Sequence, residues 1–301
     1  MKVIVMIFIV LFVLVLLTVL VSLVFIRNIL TSPFSKKELD KGGAEFEKEM
    51  SDAEITSYDG LKLQAKYRLS DKGSHDWIIS IHGYKDSHKF MLPYGAAFCE
   101  KGYHVLLPDD RGHGKSEGRY IGMGWLDKED ILKWIRWIVN RDPEARIILH
   151  GISMGGATVM MTAGENPEHV AGYIEDCGYT SVYDIFACVM KRDYHLPAFP
   201  ILHCCRLIGK CRAGYDFKEA SCVEQLKKCR KPMLFIHGEK DDFVPVSMGY
   251  QVYEAFPGDK ELYIAKNAGH AEAMDVDPDT YFQKIFGFID TRIKKGTISD
   301  K

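Results

Sequence analysis

Residues 145–164 read ARIILHGISMGGATVMMTAG, and their order decides what kind of fold surrounds them. The first six, ARIILH, form a short apolar run of strand type, and the last nine, GATVMMTAG, read as a helix that opens on small residues. Between them lies Gly151-Ile152-Ser153-Met154-Gly155-Gly156, a G-x-S-x-G pattern at a strand-to-helix junction. A turn that sharp holds its central residue in a strained conformation. Small residues two places to either side let the backbone pass without collision. The pattern alone also occurs in ordinary tight turns, but with a strand before it and a helix after it Ser153 becomes a candidate nucleophile.

Outward from this junction, similar apolar runs recur: WIISIHG at 77–83, YHVLLPD at 103–109, AGYIEDCG at 171–178, PMLFIHG at 232–238 and ELYIAKN at 261–267. Amphipathic stretches separate several of them. In WLDKEDILKWIRWIVN, Trp125, Ile131, Leu132, Ile135 and Ile138 repeat near helical spacing. Strand–helix alternation of this kind predicts an α/β fold, a mostly parallel sheet with helices on both faces. Its chemistry belongs at the carboxyl ends of the strands. Ahead of the first run, EITSYDG and LKLQAKYRL flank Asp59-Gly60, a two-residue hairpin signal and so an antiparallel start to the sheet. Residues 181–230 break the alternation with Phe186, Met190, Tyr194, Leu196, Phe199, Ile201, Leu202 and Leu207 around Pro197 and Pro200. This stretch reads as a helical cap inserted over the active edge.

A serine needs a base within hydrogen-bond reach and an acid that orients the base. Among eleven histidines, only His270 follows the last expected strand, in Asn267-Ala268-Gly269-His270-Ala271. In sites built on this junction the chain order is Ser, acid, His. The loop after PMLFIHG offers Glu239, Asp241 and Asp242; Asp241 is the preferred acid, Asp242 is left as a helix cap, and Asp176 stands as an outside candidate. The developing oxyanion needs two fixed N–H donors, assigned to the backbones of Met154 and Tyr84. His82, beside Tyr84, reads as a brace for that loop. DRGHGKSEG at 110–118 fits neither phosphate-binding glycine pattern. It reads as a structural turn in which Asp110 and Arg111 hold neighbouring loops, with no role for His113. The chemistry calls for no metal or other cofactor, and His203 with Cys204-Cys205 lacks metal-ligand spacing.

Residues 3–26 hold only Thr18 and Ser22 as polar members, and 24 residues exceed the ~20 that span a bilayer core as a helix. No small-residue cleavage site ends the run, which favours an uncleaved single-pass anchor over a signal peptide. Arg27, Lys36, Lys37 and Lys41 follow the span and Lys2 alone precedes it, a bias toward a cytoplasmic catalytic domain. The eight cysteines show no regular framework spacing and lean the same way. The expected organisation is an anchor at 1–27, a tether at 28–53 and one domain at 54–301. A chain of 301 residues with a formal charge of −2 and no basic block carries no footprint for nucleic acid.

HGYK, DDRGHGKSEG, GISMGG, HGEKDDFVP and AGHAEA, in this order, resemble the α/β-hydrolase superfamily. The resemblance is to single-pass bacterial serine hydrolases of the serine aminopeptidase and lysophospholipase-like branch, and it covers residues 54–295. It implies a triad of Ser153, Asp241 and His270 with Met154 and Tyr84 as oxyanion donors. The cysteine-rich cap departs from the family, and the cap usually sets substrate choice. The expected activity is hydrolysis of a hydrophobic acyl or aryl ester, a lysophospholipid among them, through an acyl-enzyme. An amide or peptide substrate and a non-catalytic binding protein on the same fold are the alternatives.

Overall fold

The computed structural model describes residues 1–31 and 43–294. The charged stretch at 32–42, with Lys36, Lys37 and Lys41, lies outside the described residues.

Eight strands form one sheet: β1 (Ser51–Thr56), β2 (Lys62–Arg68), β3 (Asp76–Ile81), β4 (His104–Pro108), β5 (Arg146–Ile152), β6 (Val170–Asp176), β7 (Met233–Gly238) and β8 (Lys260–Ala265). Their order is β1-β2-β4-β3-β5-β6-β7-β8. β2 runs antiparallel to both neighbours, and β4 through β8 are parallel. The apolar runs of β3 to β7 became strands because both faces of the sheet are covered there, so alternate residues supply two cores. Trp77, Ile79, Leu106, Ile147, Leu149 and Phe235 enter one core, while Ile78, Val105, Leu107, Ile148 and Leu234 enter the other. The first hairpin closes on Ser57 N–H donating to Leu61 O at 2.9 Å. The turn is therefore Tyr58–Asp59–Gly60, one residue longer than the two-residue signal, with Asp59 fixed by a 2.6 Å hydrogen bond from the Ser57 hydroxyl.

The helices are α1 (Lys2–Leu30), α2 (Ala44–Lys48), α3 (Leu92–Glu100), α4 (Asp127–Val139), α5 (Met154–Ala163), α6 (Val182–Tyr194), α7 (Ile201–Ala213), α8 (Cys222–Leu226), α9 (Val246–Ala255), α10 (Ala273–Val276) and α11 (Pro278–Phe288). α4, α5, α8 and α9 contribute to the first core through Trp134, Val159, Leu226 and Val252. α3 and α11 cover the second through Phe98, Tyr281 and Ile285. The 181–230 segment folds as α6, α7 and α8 between β6 and β7.

α1 has two unlike parts. Lys2–Leu20 is exposed all round except at half-buried Thr18, whereas Ser22, Phe25, Ile26, Ile29 and Leu30 are buried. Those five share one face at helical spacing, and the face lies against α7 and α6. The helix therefore continues three residues beyond the expected boundary at 27, because the polar pair Arg27-Asn28 lies on its outer side. By length and composition α1 can cross a membrane, as an anchor or a signal sequence.

Arg111, 2% exposed, performs the bracing expected of it. Its guanidinium donates to Asp130 on α4 at 2.7 and 2.8 Å and to Asp59 in the hairpin turn at 3.0 and 3.3 Å. All eight cysteines are free thiols, five of them buried.

Candidate active site

β5 ends at Ile152 and α5 begins at Met154, leaving Ser153 alone in the turn with φ 57° and ψ −114°. A non-glycine residue held there costs about 1–3 kcal/mol, sustained only where the surroundings fix it. They do: Ser153 N–H donates to Asp176 O at 2.8 Å and Ser153 O accepts from Ala157 N–H at 2.9 Å. The flanking glycines leave no room for anything larger. A Cβ on Gly151 would sit 2.3 Å from Gly155 O, and one on Gly155 would sit 2.2 Å from Ile81 O.

Ser153 Oγ lies 2.8 Å from His270 Nε2, and His270 Nδ1 lies 2.8 Å from Asp241 Oδ2. The three come from the loops after β5, β8 and β7, so the sheet's carboxyl edge assembles them. The other Asp241 oxygen accepts from Phe243 N–H at 3.0 Å and Val244 N–H at 2.8 Å, which locks the carboxylate. Burial opposes its ionisation, but hydrogen bonds from His237 and His270 outweigh burial and bring its pKa down to about 2. A fixed anion on Nδ1 selects the tautomer with Nε2 free to accept the serine proton. Asp176, the outside candidate, instead accepts from Tyr281 Oη at 3.0 Å, and burial pushes its carboxyl up to about 6. Asp242 is exposed and caps nothing: α9 begins at Val246, with Pro245 at the N-cap and no side-chain cap. The capping expectation fails because Asp241 already uses the local N–H groups of this turn.

Gly83 places the loop after β3 beside the serine, since a Cβ there would lie 3.5 Å from Ser153 Cβ. Among the described residues neither the Tyr84 nor the Met154 N–H donates to a protein acceptor. Two histidines fix the loop. His82, fully buried and held neutral by burial, has Nδ1 2.7 Å from Gly83 O and accepts from Asp110 N–H at 3.0 Å. His113, expected to have no role, instead braces this loop: it accepts from Lys85 N–H at 3.0 Å and lies with Nδ1 3.0 Å from Arg111 O. Lys85 needs that partner because its φ of 61° turns the chain out of the extended path.

Ser153 stands between two cavities. One, of about 460 Å³, is walled by Met123, Tyr179, Phe186, Val189 and, from the end of α1, Asn28 and Ile29. The other, of about 420 Å³, is lined by His270, Asp86, Glu272 and Asp275. Phe243 and Tyr84 border both. The Phe243 ring lies against His270 at 4.8 Å, and the Arg192 guanidinium lies over the Phe243 ring at 4.2 Å. Cys177, Asp241 and His270 bring three potential metal-ligand atoms within 4.8 Å of one another. Burial raises the Cys177 thiol well above its ordinary value, so it is protonated, and the other two engage each other.

An uncharacterised protein of Bacillus subtilis, YqkD, is 32% identical over 274 residues, 89% of this chain and 90% of that one. The family model for serine aminopeptidases of type S33 matches residues 73–182. The chain belongs to the α/β-hydrolase superfamily. Among solved α/β-hydrolases, a Pyrococcus furiosus esterase superposes with a TM-score of 0.71 at 24% identity, covering 88% of this chain and 98% of that one. A Pyrococcus horikoshii acylaminoacyl peptidase superposes with a TM-score of 0.62 at 20% identity over 85% of this chain and 44% of its own. Both likenesses are likenesses of fold. The matched family region holds Ser153, Met154 and Tyr84; Asp241 and His270 lie beyond it.

Proposed function

We propose that this α/β-hydrolase is a membrane-anchored serine esterase acting on hydrophobic carboxylic esters. The observation that carries the reading is the row Asp241–His270–Ser153, both links 2.8 Å, opening on a cavity with mainly apolar walls. Ser153 Oγ attacks the ester carbonyl while His270 Nε2 takes its proton. The tetrahedral oxyanion is received by the Met154 and Tyr84 N–H groups. Imidazolium then returns the proton to the leaving alcohol. A water, activated by the same His270, cleaves the acyl-enzyme and restores the serine. Asp241 stays ionised throughout, with a pKa far below neutrality.

Docking of α1 supports its retention as an anchor. Removal of the helix would uncover Ile121 N–H, which donates to Leu30 O at 2.8 Å, and the buried faces of Phe25 and Ile26. The α6–α7 segment serves as the cap, since Phe186 and Val189 of α6 wall the cavity.

The second reading, hydrolysis of an amide beside a free amine, draws on Asp86, Glu272 and Asp275 along the other cavity, where a cation would be welcome. Hydrolysis of p-nitrophenyl esters of graded acyl length and of aminoacyl p-nitroanilides, by the full chain and its Ser153→Ala variant, separates the two. Ester turnover lost in the variant is the expected result. Turnover of anilides alone would transfer the reading to a peptidase, and equal turnover by parent and variant would remove Ser153 from the mechanism.

A further inference from the structure

The carboxyl end of a helix leaves its last four carbonyls without intrahelical partners. In α1 three of these are met by the loops that build the active site. Asn28 O accepts from Lys85 Nζ at 3.3 Å, Ile29 O from Tyr84 Oη at 2.7 Å, and Leu30 O from Ile121 N–H at 2.8 Å. Burial pushes the Tyr84 phenol up, so it remains a donor. The residue whose backbone is assigned to the oxyanion thus grips the anchor helix with its side chain.

Further up, α1 is seated on the cap. Ser22 Oγ donates to Ile201 O at 3.0 Å, and Phe25 meets Phe186 and Tyr194 edge-on at 6.0 and 5.4 Å. Ile29, 9% exposed, then forms part of the wall of the cavity beside Ser153.

We infer that the last turn of α1 is a specificity element of the acyl site, and that the site takes lipid esters with an acyl chain seated against Ile29, drawn from the bilayer in which the rest of α1 lies. This rests on the esterase reading above. The exposed part of the helix, Lys2–Leu20, is roughly 28 Å long at ~1.5 Å per residue, close to the ~30 Å hydrocarbon thickness. Ile29 follows Leu20 by nine residues, about 13 Å along the axis, beyond the hydrocarbon edge and several ångströms outside the ~5–7 Å headgroup layer. An ester must rise out of the membrane to reach Ser153, at a cost that grows with every methylene it lifts. The cavity against Ile29 offers one chain an apolar replacement. The opposite cavity places Asp86, Glu272 and Asp275 beside Phe90 and Ile152, a mixed lining in contrast with the mainly apolar walls against Ile29.

The test uses the full chain in nanodiscs. Ile29→Trp fills the cavity and should lower the decanoate-to-acetate ratio of kcat/KM on p-nitrophenyl esters at least tenfold. Ile29→Ala enlarges the cavity and should raise that ratio at least threefold. Opposite signs separate the effect from misfolding, which thermal unfolding monitors. Ratios within twofold of the parent for both variants would overturn the inference. If the parent cleaves no ester, the esterase reading falls, and the wall is read instead by octanoate binding with empty nanodiscs as blank. Binding to Ser153→Ala that weakens at least fivefold on adding Ile29→Trp upholds the wall. No binding, or equal binding, overturns it.

Discussion

Replacing Asp241 by Asn removes one charge and forces a choice on the side chain. In the parent, one oxygen accepts from the Phe243 and Val244 N–H groups while the other faces His270 Nδ1. An amide has a single acceptor oxygen. If it serves the two backbone donors, the NH2 group points at Nδ1 and requires an acceptor there, so the proton moves to Nε2 and His270 can no longer take one from Ser153. If the amide flips to keep the working tautomer, its NH2 opposes two buried N–H donors. Two lost hydrogen bonds at about 1–3 kcal/mol each make the flipped state unfavourable by about 2–6 kcal/mol. At 1.4 kcal/mol per decade that is a fall of roughly 30-fold to 20,000-fold in competent enzyme. Loss of the charge that stabilises the imidazolium adds to it, so a fall of about 10³–10⁴ in kcat is expected with KM little changed. Stopped-flow or steady-state release of p-nitrophenol from a medium-chain ester measures it. A variant within tenfold of the parent would refute the reasoning. Asp176→Asn, which touches Tyr281 rather than His270, should stay within about threefold; the reverse pattern would move the acid to Asp176.

His113→Ala removes the acceptor of Lys85 N–H and loosens the loop that aims the Tyr84 amide. We expect kcat to fall about tenfold, less than the 10²–10³ of losing a donor outright, with KM nearly constant; a change confined to KM would contradict this positioning role. Stability should fall as pH rises from about 5 to 8. Burial raises Asp176 to about 6, Asp127 to about 7 and Glu175 to about 8, so the folded chain keeps protons that the unfolded chain has released. Glu175→Gln, a neutral isostere, should flatten that decline in thermal unfolding across the range, and a slope equal to the parent's would count against the shift at Glu175.

The central strands β3 to β7 were legible because they are buried on both faces, which makes each a continuous apolar run bounded by Gly, Pro or Asp. Ser153 and His270 were legible because their positions at strand ends are properties of local order. What escaped the sequence depends on contacts distant along the chain. The role of His113 follows from the left-handed turn at Lys85, and that of Phe243 from a ring contact with a residue in another loop. The seating of α1 was only half hidden. Arg27-Asn28 interrupts the apolar run and suggested a boundary, yet Ser22, Phe25, Ile26 and Ile29 repeat at intervals of three and four, the mark of a helix with one covered face. Uniform apolarity up to Leu20 masked that stripe.

The seat of α1 also sets an order of events during synthesis. Ser22 and its partner Ile201 are separated by 179 positions, and at ~5–20 residues per second the partner follows roughly 9–36 s later. The helix is made first, and if Lys2–Leu20 enters the bilayer as proposed, the docking face at Ser22–Leu30 waits at the membrane surface without a protein neighbour. The catalytic domain then completes its folding against a surface that is already fixed in the membrane. In that reading the anchored helix is the first folding template, and the nascent domain finishes by closing onto its last turns.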